Sequence, residues 1–177
     1  MEKLSTDELN RISVDDFKKS AKTPVVVLLN NVRSALNVGS VFRTCDAFRI
    51  NKIFLCGISA TPPNKEIRKT AIGAEESVDW VYFNNAVETA INLKQEGYTL
   101  IAVEQTHNSI KLEEIDKITS DKVALIFGNE VKGVDEELIE LCDFCVEISQ
   151  YGTKHSLNVS VCAGVVLYEF FKKYKIV

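Results

Sequence analysis

The residues able to do chemistry concentrate in three stretches. NNVRSALNVGSVFRT, at 30–44, carries Asn37 and Arg43; GNEVKGV, at 128–134, sets Glu130 between two glycines; SQYGTKHSLN, at 149–158, ends on His155, Ser156, Leu157 and Asn158. Arginine offers a permanent positive charge suited to a phosphate or a developing oxyanion. Arg43 follows Phe42 at the edge of an apolar stripe, where it can face such an anion or simply pair with Asp46. Glu130 on a loop can accept hydrogen bonds or fix a neighbouring loop, while Gly128 and Gly133 permit a close approach that a side chain would block. A tight turn explains the same pattern. His155-Ser156 has the composition of a base and a nucleophile, but adjacent residues at a helix start diverge, so no relay between them is expected. His155 reads as a surface or cap residue.

These stretches follow apolar runs that read as strands. Pro24 precedes VVVLL at 25–29, a continuous β-branched run of the kind buried on both faces of a sheet. Val38, Val41, Phe42, Cys45 and Phe48 then recur at helical spacing, with Asn37 placed as the N-cap. KIFLC, DWVYF, TLIAVE, KVALIF and FCVEIS supply five more strands. Helices are expected over 85–96 and 136–141, and within the Pro-punctuated stretch from Thr61. The alternation predicts an α/β fold, a mostly parallel sheet covered by helices. In such a sheet ligands bind beyond the carboxyl ends of the strands, which is where all three polar stretches fall. The segment KHSLNVSVCAGVVLYEFFKK, at 154–173, is a helix whose polar start exceeds what one cap requires; Ser156 or its neighbour is expected to be that cap. The first residues contain two capping-box patterns, Ser5-x-x-Glu8 and Ser13-x-x-Asp16, and predict an N-terminal helical arm over 1–23 ahead of a domain over 24–177.

Composition narrows the function. No G-x-G-x-x-G follows the first strand and no G-x-x-x-x-G-K-[ST] occurs, so the common dinucleotide and phosphate-loop signatures are missing. Five cysteines without an apolar leader at the start argue against a disulfide framework and for a cytoplasmic protein. Cys142-x-x-Cys145 has no second pair for zinc and enters a strand, so no metal is expected. No apolar run approaches membrane-spanning length. The net charge is −4, but residues 1–70 carry 12 Lys and Arg against 7 Asp and Glu, and residues 71–177 carry 9 against 18. All the arginines lie in the first part, so a polyanion would be held there.

Taken together, NVRSALNVGSVFRTCDAF, LIFGNEVKGV and SLNVSVCAGVVLYE resemble, in order and spacing, the SpoU (TrmH-type) RNA ribose 2′-O-methyltransferases of the SPOUT superfamily; KTAIGAEESVDW adds to the likeness. The resemblance covers about residues 24–172. It departs at Val131 and Arg49, where the family often has glycine, and at Ile148-Ser149-Gln150, where it often has Ile-Pro-Met. The resemblance implies a C-terminal deep trefoil knot, S-adenosyl-L-methionine as cofactor, and a homodimer joined partly by the last helix. It places Asn37 and Arg43 at the reacting ribose, with Glu130, Ser156 and Asn158 completing the catalytic set. Phe127, Gly128, Asn129, Glu130, Ile148, Ser156 and Leu157 would line the cofactor pocket. The implied partner is RNA, tRNA before rRNA, with no DNA or membrane. It would be gripped by the dimer, the short arm and the basic first part, including Lys65, Arg68 and Lys69. The alternative is a non-catalytic RNA-binding or assembly factor of the same fold, which would have no reason to keep the five catalytic residues.

Overall fold

The structure, a computed structural model, describes residues 3–5 and 7–174; the ends of the expected arm and domain, residues 1, 2, 6 and 175–177, lie outside the described residues. Seven parallel strands form one sheet in the order β3-β2-β1-β6-β4-β7-β5. The strands are β1 (Thr23–Asn30), β2 (Ile50–Cys56), β3 (Trp80–Phe83), β4 (Thr99–Val103), β5 (Ile110–Lys111), β6 (Val123–Phe127) and β7 (Phe144–Glu147). Six match the expected strands within a few residues, and β5 has no counterpart among them. Two residues are too few to leave a pattern; β5 is held against β7 by the Lys111–Glu147 ion pair.

The central strands are buried on both faces because helices cover both. Val25, Val27 and Leu29 of β1 face one core layer with α2 (Ala35–Ala47), α3 (Lys65–Ala71) and α7 (Val159–Tyr174), through Val41, Phe42, Ile67, Val166 and Phe170. Val26 and Leu28 face the other layer, with Ala90 and Leu93 of α5 (Ala86–Gln95) and Leu138 of α6 (Glu136–Leu141). Alternation along one strand thus feeds two cores. In the N-terminal segment Ser5 and Glu8 bond reciprocally around a 3-10 turn, Asp7–Leu9. Ser13 caps α1 (Val14–Lys19), and Phe17, 4% exposed, plugs that helix into the first core layer. Of the two capping-box patterns, the first therefore opens only a single 3-10 turn and the second a short helix.

Two backbone features set the geometry around α2. Arg49, standing where the family often has glycine, adopts a left-handed conformation with φ 50°, so the chain keeps the glycine's geometry at some steric cost. Gly39 brings α2 against α3: a Cβ there would run into the Ile67 carbonyl and Thr70 Oγ1. Gly39→Ala should therefore overpack this contact and destabilise the protein by about 1–3 kcal/mol. The check is a thermal melt, with Tm expected to fall on the order of 5 °C.

Candidate active site

The strand order explains why distant loops meet. β1, β6, β4 and β7 lie side by side and run parallel, so the chain leaving each emerges at the same edge. Chain order also reverses near β1, with β2 and β3 to one side and the later strands to the other. An open α/β sheet forms a crevice at such a point. Here it is a cleft of about 700 Å³ whose lining includes Phe127, Gly128, Asn129, Glu130, Ile148, Ser156, Leu157 and Asn158.

Glu130 holds this edge together. Its Oε2 accepts from the Arg33 N–H at 2.9 Å, and its Oε1 accepts from the Ser34 N–H at 3.0 Å and Asn37 Nδ2 at 2.9 Å. The two backbone donors come from the run into α2, where N–H groups have no partner within the helix. Partial burial alone would push the Glu130 pKa up, but the Arg33 and Ser34 N–H groups and the Asn37 amide outweigh it and hold the carboxyl below its ordinary value. Asn37 links onward: its Oδ1 accepts from Asn158 Nδ2 at 3.2 Å. One carboxylate and two amides therefore join the three polar stretches.

Two capping expectations need correction. Asn37 does not cap α2; Ser34 does, its Oγ accepting the Asn37 N–H at 3.3 Å. A Ser three residues earlier satisfies that donor, which leaves the Asn37 side chain free for Glu130 and Asn158. Ser156 does not cap α7 either. Asn158 takes that place: Oδ1 accepts from the Ser160 N–H at 2.9 Å while its carbonyl receives Cys162 N–H. The polar excess at the helix start resolves into Asn158, which both caps and links, and Ser156 and Leu157, which are exposed in the cleft.

The Glu130 loop is itself a built turn. Asn129 and Gly133 exchange two backbone hydrogen bonds of 2.9 Å, and Asn129 Oδ1 accepts from Val131 and Lys132. Asn129 Nδ2 reaches across to the Asn31 carbonyl at 2.8 Å. A Cβ on Gly128 would collide with the backbone of Gly133 and Val134, so only glycine closes the turn there. Val131 points outward, 76% exposed, which accommodates its side chain.

Several participants carry no signal of their own in the sequence motifs. Asp135 Oδ2 accepts from both Asn30 and Asn31 Nδ2, at 2.9 and 3.1 Å, tying the end of β1 to the start of α6. The loop after β4 forms a fourth wall. Glu104 accepts the Gln105 and Val134 N–H groups, and Gln105 Nε2 donates to the His155 carbonyl at 2.8 Å. A weaker signal was present: TLIAVE is also a strand followed by polar residues, and its loop had to join the cleft once β4 lay between β6 and β7. His155 serves through its backbone.

Arg43 stands apart. It is exposed on α2, does not line the cleft, and forms no ion pair among the described residues; Asp46 instead accepts from Ser77 Oγ at 2.5 Å. Arg43 borders a second concavity with Lys69 and Gly164. Burial raises the Cys142 thiol to about 12, far from a reactive thiolate. Among the described residues no cluster of His, Cys, Asp or Glu could hold a metal, and no helix is long and apolar enough to cross a membrane.

A carboxylate satisfied by three donors cannot be replaced by an amide without setting donor against donor. Glu130→Gln should cost about 1–3 kcal/mol in urea unfolding at neutral pH. Because the folded carboxyl is held below its unfolded value of 4.5, this stabilisation is fully present above that pH. The gap between wild type and variant should shrink as pH falls through the lowered folded pKa.

Comparison with known proteins matches this geometry to a family. Residues 24–168 match the SpoU rRNA Methylase family. The chain is 30% identical over 148 residues to the tRNA (guanosine(18)-2′-O)-methyltransferase of Aquifex aeolicus, covering 82% of this chain and 67% of that one. It is 30% identical over 164 residues to the 23S rRNA (guanosine-2′-O-)-methyltransferase RlmB of Vibrio parahaemolyticus, covering 92% and 64%. The chain thus spans about two thirds of these relatives' length. The crystal structure of an AdoMet-bound rRNA methyltransferase from Sinorhizobium meliloti superposes with a TM-score of 0.78 at 25% identity, over 89% of this chain and 60% of that one. The protein that builds its cleft around Glu130 belongs to the SpoU methylase family.

Proposed function

We propose that the protein is an S-adenosyl-L-methionine-dependent RNA methyltransferase that modifies a ribose 2′-hydroxyl in tRNA or rRNA. The observation that carries this reading is the Glu130–Asn37–Asn158 linkage, which assembles the walls of a cleft of about 700 Å³. That volume falls within the range of small-molecule sites. The Aquifex and Vibrio relatives act on a guanosine 2′-oxygen, one in tRNA and one in 23S rRNA.

The cleft suits the methyl donor. Phe127, Ile148, Leu157 and Val103 give apolar walls for a purine nucleoside, Gly128 and Ser156 give backbone and hydroxyl contacts, and Glu104, Glu136 and Glu147 favour a cation. S-adenosylmethionine supplies, when bound, a methyl group already activated on a sulfonium. The protein must then align the ribose oxygen with that methyl and stabilise charge on the oxygen as the O–C bond forms. The C–S bond breaks to leave a thioether, and the hydroxyl proton passes to water. Arg43 is assigned that stabilisation, since a guanidinium stays charged and cannot itself serve as the base. Asn37 and Asn158 hold the first and last polar stretches in register, and Glu130 holds Asn37.

Three further features of the architecture belong to this reading. The segment from Ile148 to Asn158 is taken to be threaded as a trefoil knot, supported by its lining one cleft with the loops after β6 and β4 and by the Gln105–His155 tether. The chain is taken to be a homodimer through α7, whose Val161, Val165 and Tyr168 are 53%, 40% and 48% exposed. Residues 1–23 are taken as an arm on a domain beginning at residue 24.

The test is transfer of labelled methyl to bulk tRNA and bulk rRNA from a strain lacking the gene, followed by mapping of the modified nucleotide. Incorporation at a 2′-oxygen of one pool is expected; none in either pool favours an RNA-binding factor. Arg43→Ala should lower the transfer rate at least 10²–10³-fold. Since Arg43 lies outside the cleft lining, donor affinity measured by calorimetry should stay near wild type. An equal loss of both would remove the role assigned to Arg43.

A further inference from the structure

Glu130 ties the cleft together on one side. The other side is closed by a residue that belongs to none of the three polar stretches. Gln105, in the loop after β4, donates from Nε2 to the His155 carbonyl at 2.8 Å. Among the described residues this is the one hydrogen bond that reaches the stretch from Gln150 to Leu157. The stretch has little else to hold it. Residues 151–158 are all exposed, Tyr151 is 97% exposed, and a Cβ on Gly152 would touch nothing. Backbone with so few partners opens readily. Yet its last part supplies Ser156 and Leu157 to the cleft.

Gln105 is itself anchored. Its N–H donates to Glu104 Oε1 at 2.9 Å, and Glu104 Oε2 accepts the Val134 N–H at 3.1 Å. Gly133, with φ 73°, leaves room for that carboxylate, which a Cβ there would strike. These bonds complete a ring around the cleft. From the Glu130 turn one arm runs through Asn37 to Asn158, and the other runs through Glu104 and Gln105 to His155. The arms end three residues apart on one segment, with Ser156 and Leu157 between them. Either arm alone would leave those two residues hinged at one end. Both together fix them at two.

We propose that Gln105 is a positioning residue for the methyl donor, holding the His155 carbonyl so that Ser156 and Leu157 stand in place before the donor arrives. The proposal rests on the methyltransferase reading and adds to it how the donor wall is preset. A wall already ordered spares the ordering cost that binding would otherwise carry. The effect falls on donor affinity and not on the chemical step, because a seated donor holds the segment through its own contacts. Gln105 acts on the backbone of His155, so the imidazole has no part in it.

The test compares wild type with Gln105→Ala and Gln105→Glu in the full chain. Glutamate keeps the shape of the side chain but sets an acceptor against the carbonyl. In methyl transfer to bulk tRNA and bulk rRNA, KM for S-adenosylmethionine should rise about threefold to tenfold in both variants, the effect of one hydrogen bond. The kcat, the KM for RNA and the Tm should stay near wild type. Without donor, trypsin should cut after Lys154 faster in both variants by a similar factor, since cleavage follows the population of the open segment. An unchanged donor KM overturns the proposal, as does a fall in kcat as large as the rise in KM. Unchanged cleavage after Lys154 overturns it too, and a lowered Tm with general loss of trypsin resistance assigns Gln105 to the fold instead. A wild type that transfers methyl to neither RNA pool overturns the functional reading beneath it, and cleavage after Lys154 then decides the tether by itself.

Discussion

The Glu130 carboxylate is the interaction on which the site depends. It joins residues 93 to 97 positions apart, and through Asn37 it reaches Asn158, 121 positions from Asn37. Contacts between such distant parts must offset loop entropy, and a charged acceptor with three donors is the strongest link available at a partly exposed sheet edge. The donors have little else to bond, because two of them are unpaired N–H groups at the entry to α2. Donor and acceptor each relieve a deficit in the other. The cleft is the space left when that junction closes.

The rest of the structure supplies the conditions for that junction. Parallel strands β1, β6, β4 and β7 deliver their loops to one edge, Gly128 lets the Glu130 turn fold on itself, and Asp135 and Glu104 brace it from either side. The charge asymmetry of the chain follows the same division. Carboxylates line the donor cleft, while the arginines and the lysines of α3 lie in the first part of the chain. In the proposed reading the cationic cofactor goes to the acidic cleft and the polyanionic substrate to the basic first part of the chain.

Much of this was legible from residue order. The β-branched run at 25–29 announced a strand buried on both faces, and the polar stretches after it, after KVALIF and after FCVEIS were placed on one sheet edge. The fold class followed from strand–helix alternation. What the sequence hid were choices between near-equivalent side chains. Ser34, not Asn37, caps α2, because the Asn37 side chain is engaged by Glu130 and Asn158. Asn158, not Ser156, caps α7, because the helix begins at Val159 and the amide can accept at the cap while it donates to Asn37. Strand order was hidden too, and with it the role of Glu104 and Gln105, since no local pattern says that β4 lies between β6 and β7. Nor could spacing show that Arg43 would border the second concavity and not line the cleft.

The central claim is that one carboxylate holds the cofactor cleft in shape. Calorimetric titration of S-adenosylmethionine into wild type and Glu130→Gln, with folding of the variant verified by circular dichroism, tests it most directly. Wild type should bind at one site per chain, and the variant should lose affinity by about tenfold or more, the effect of one unsatisfied junction donor. Equal affinities in two folded proteins would contradict it.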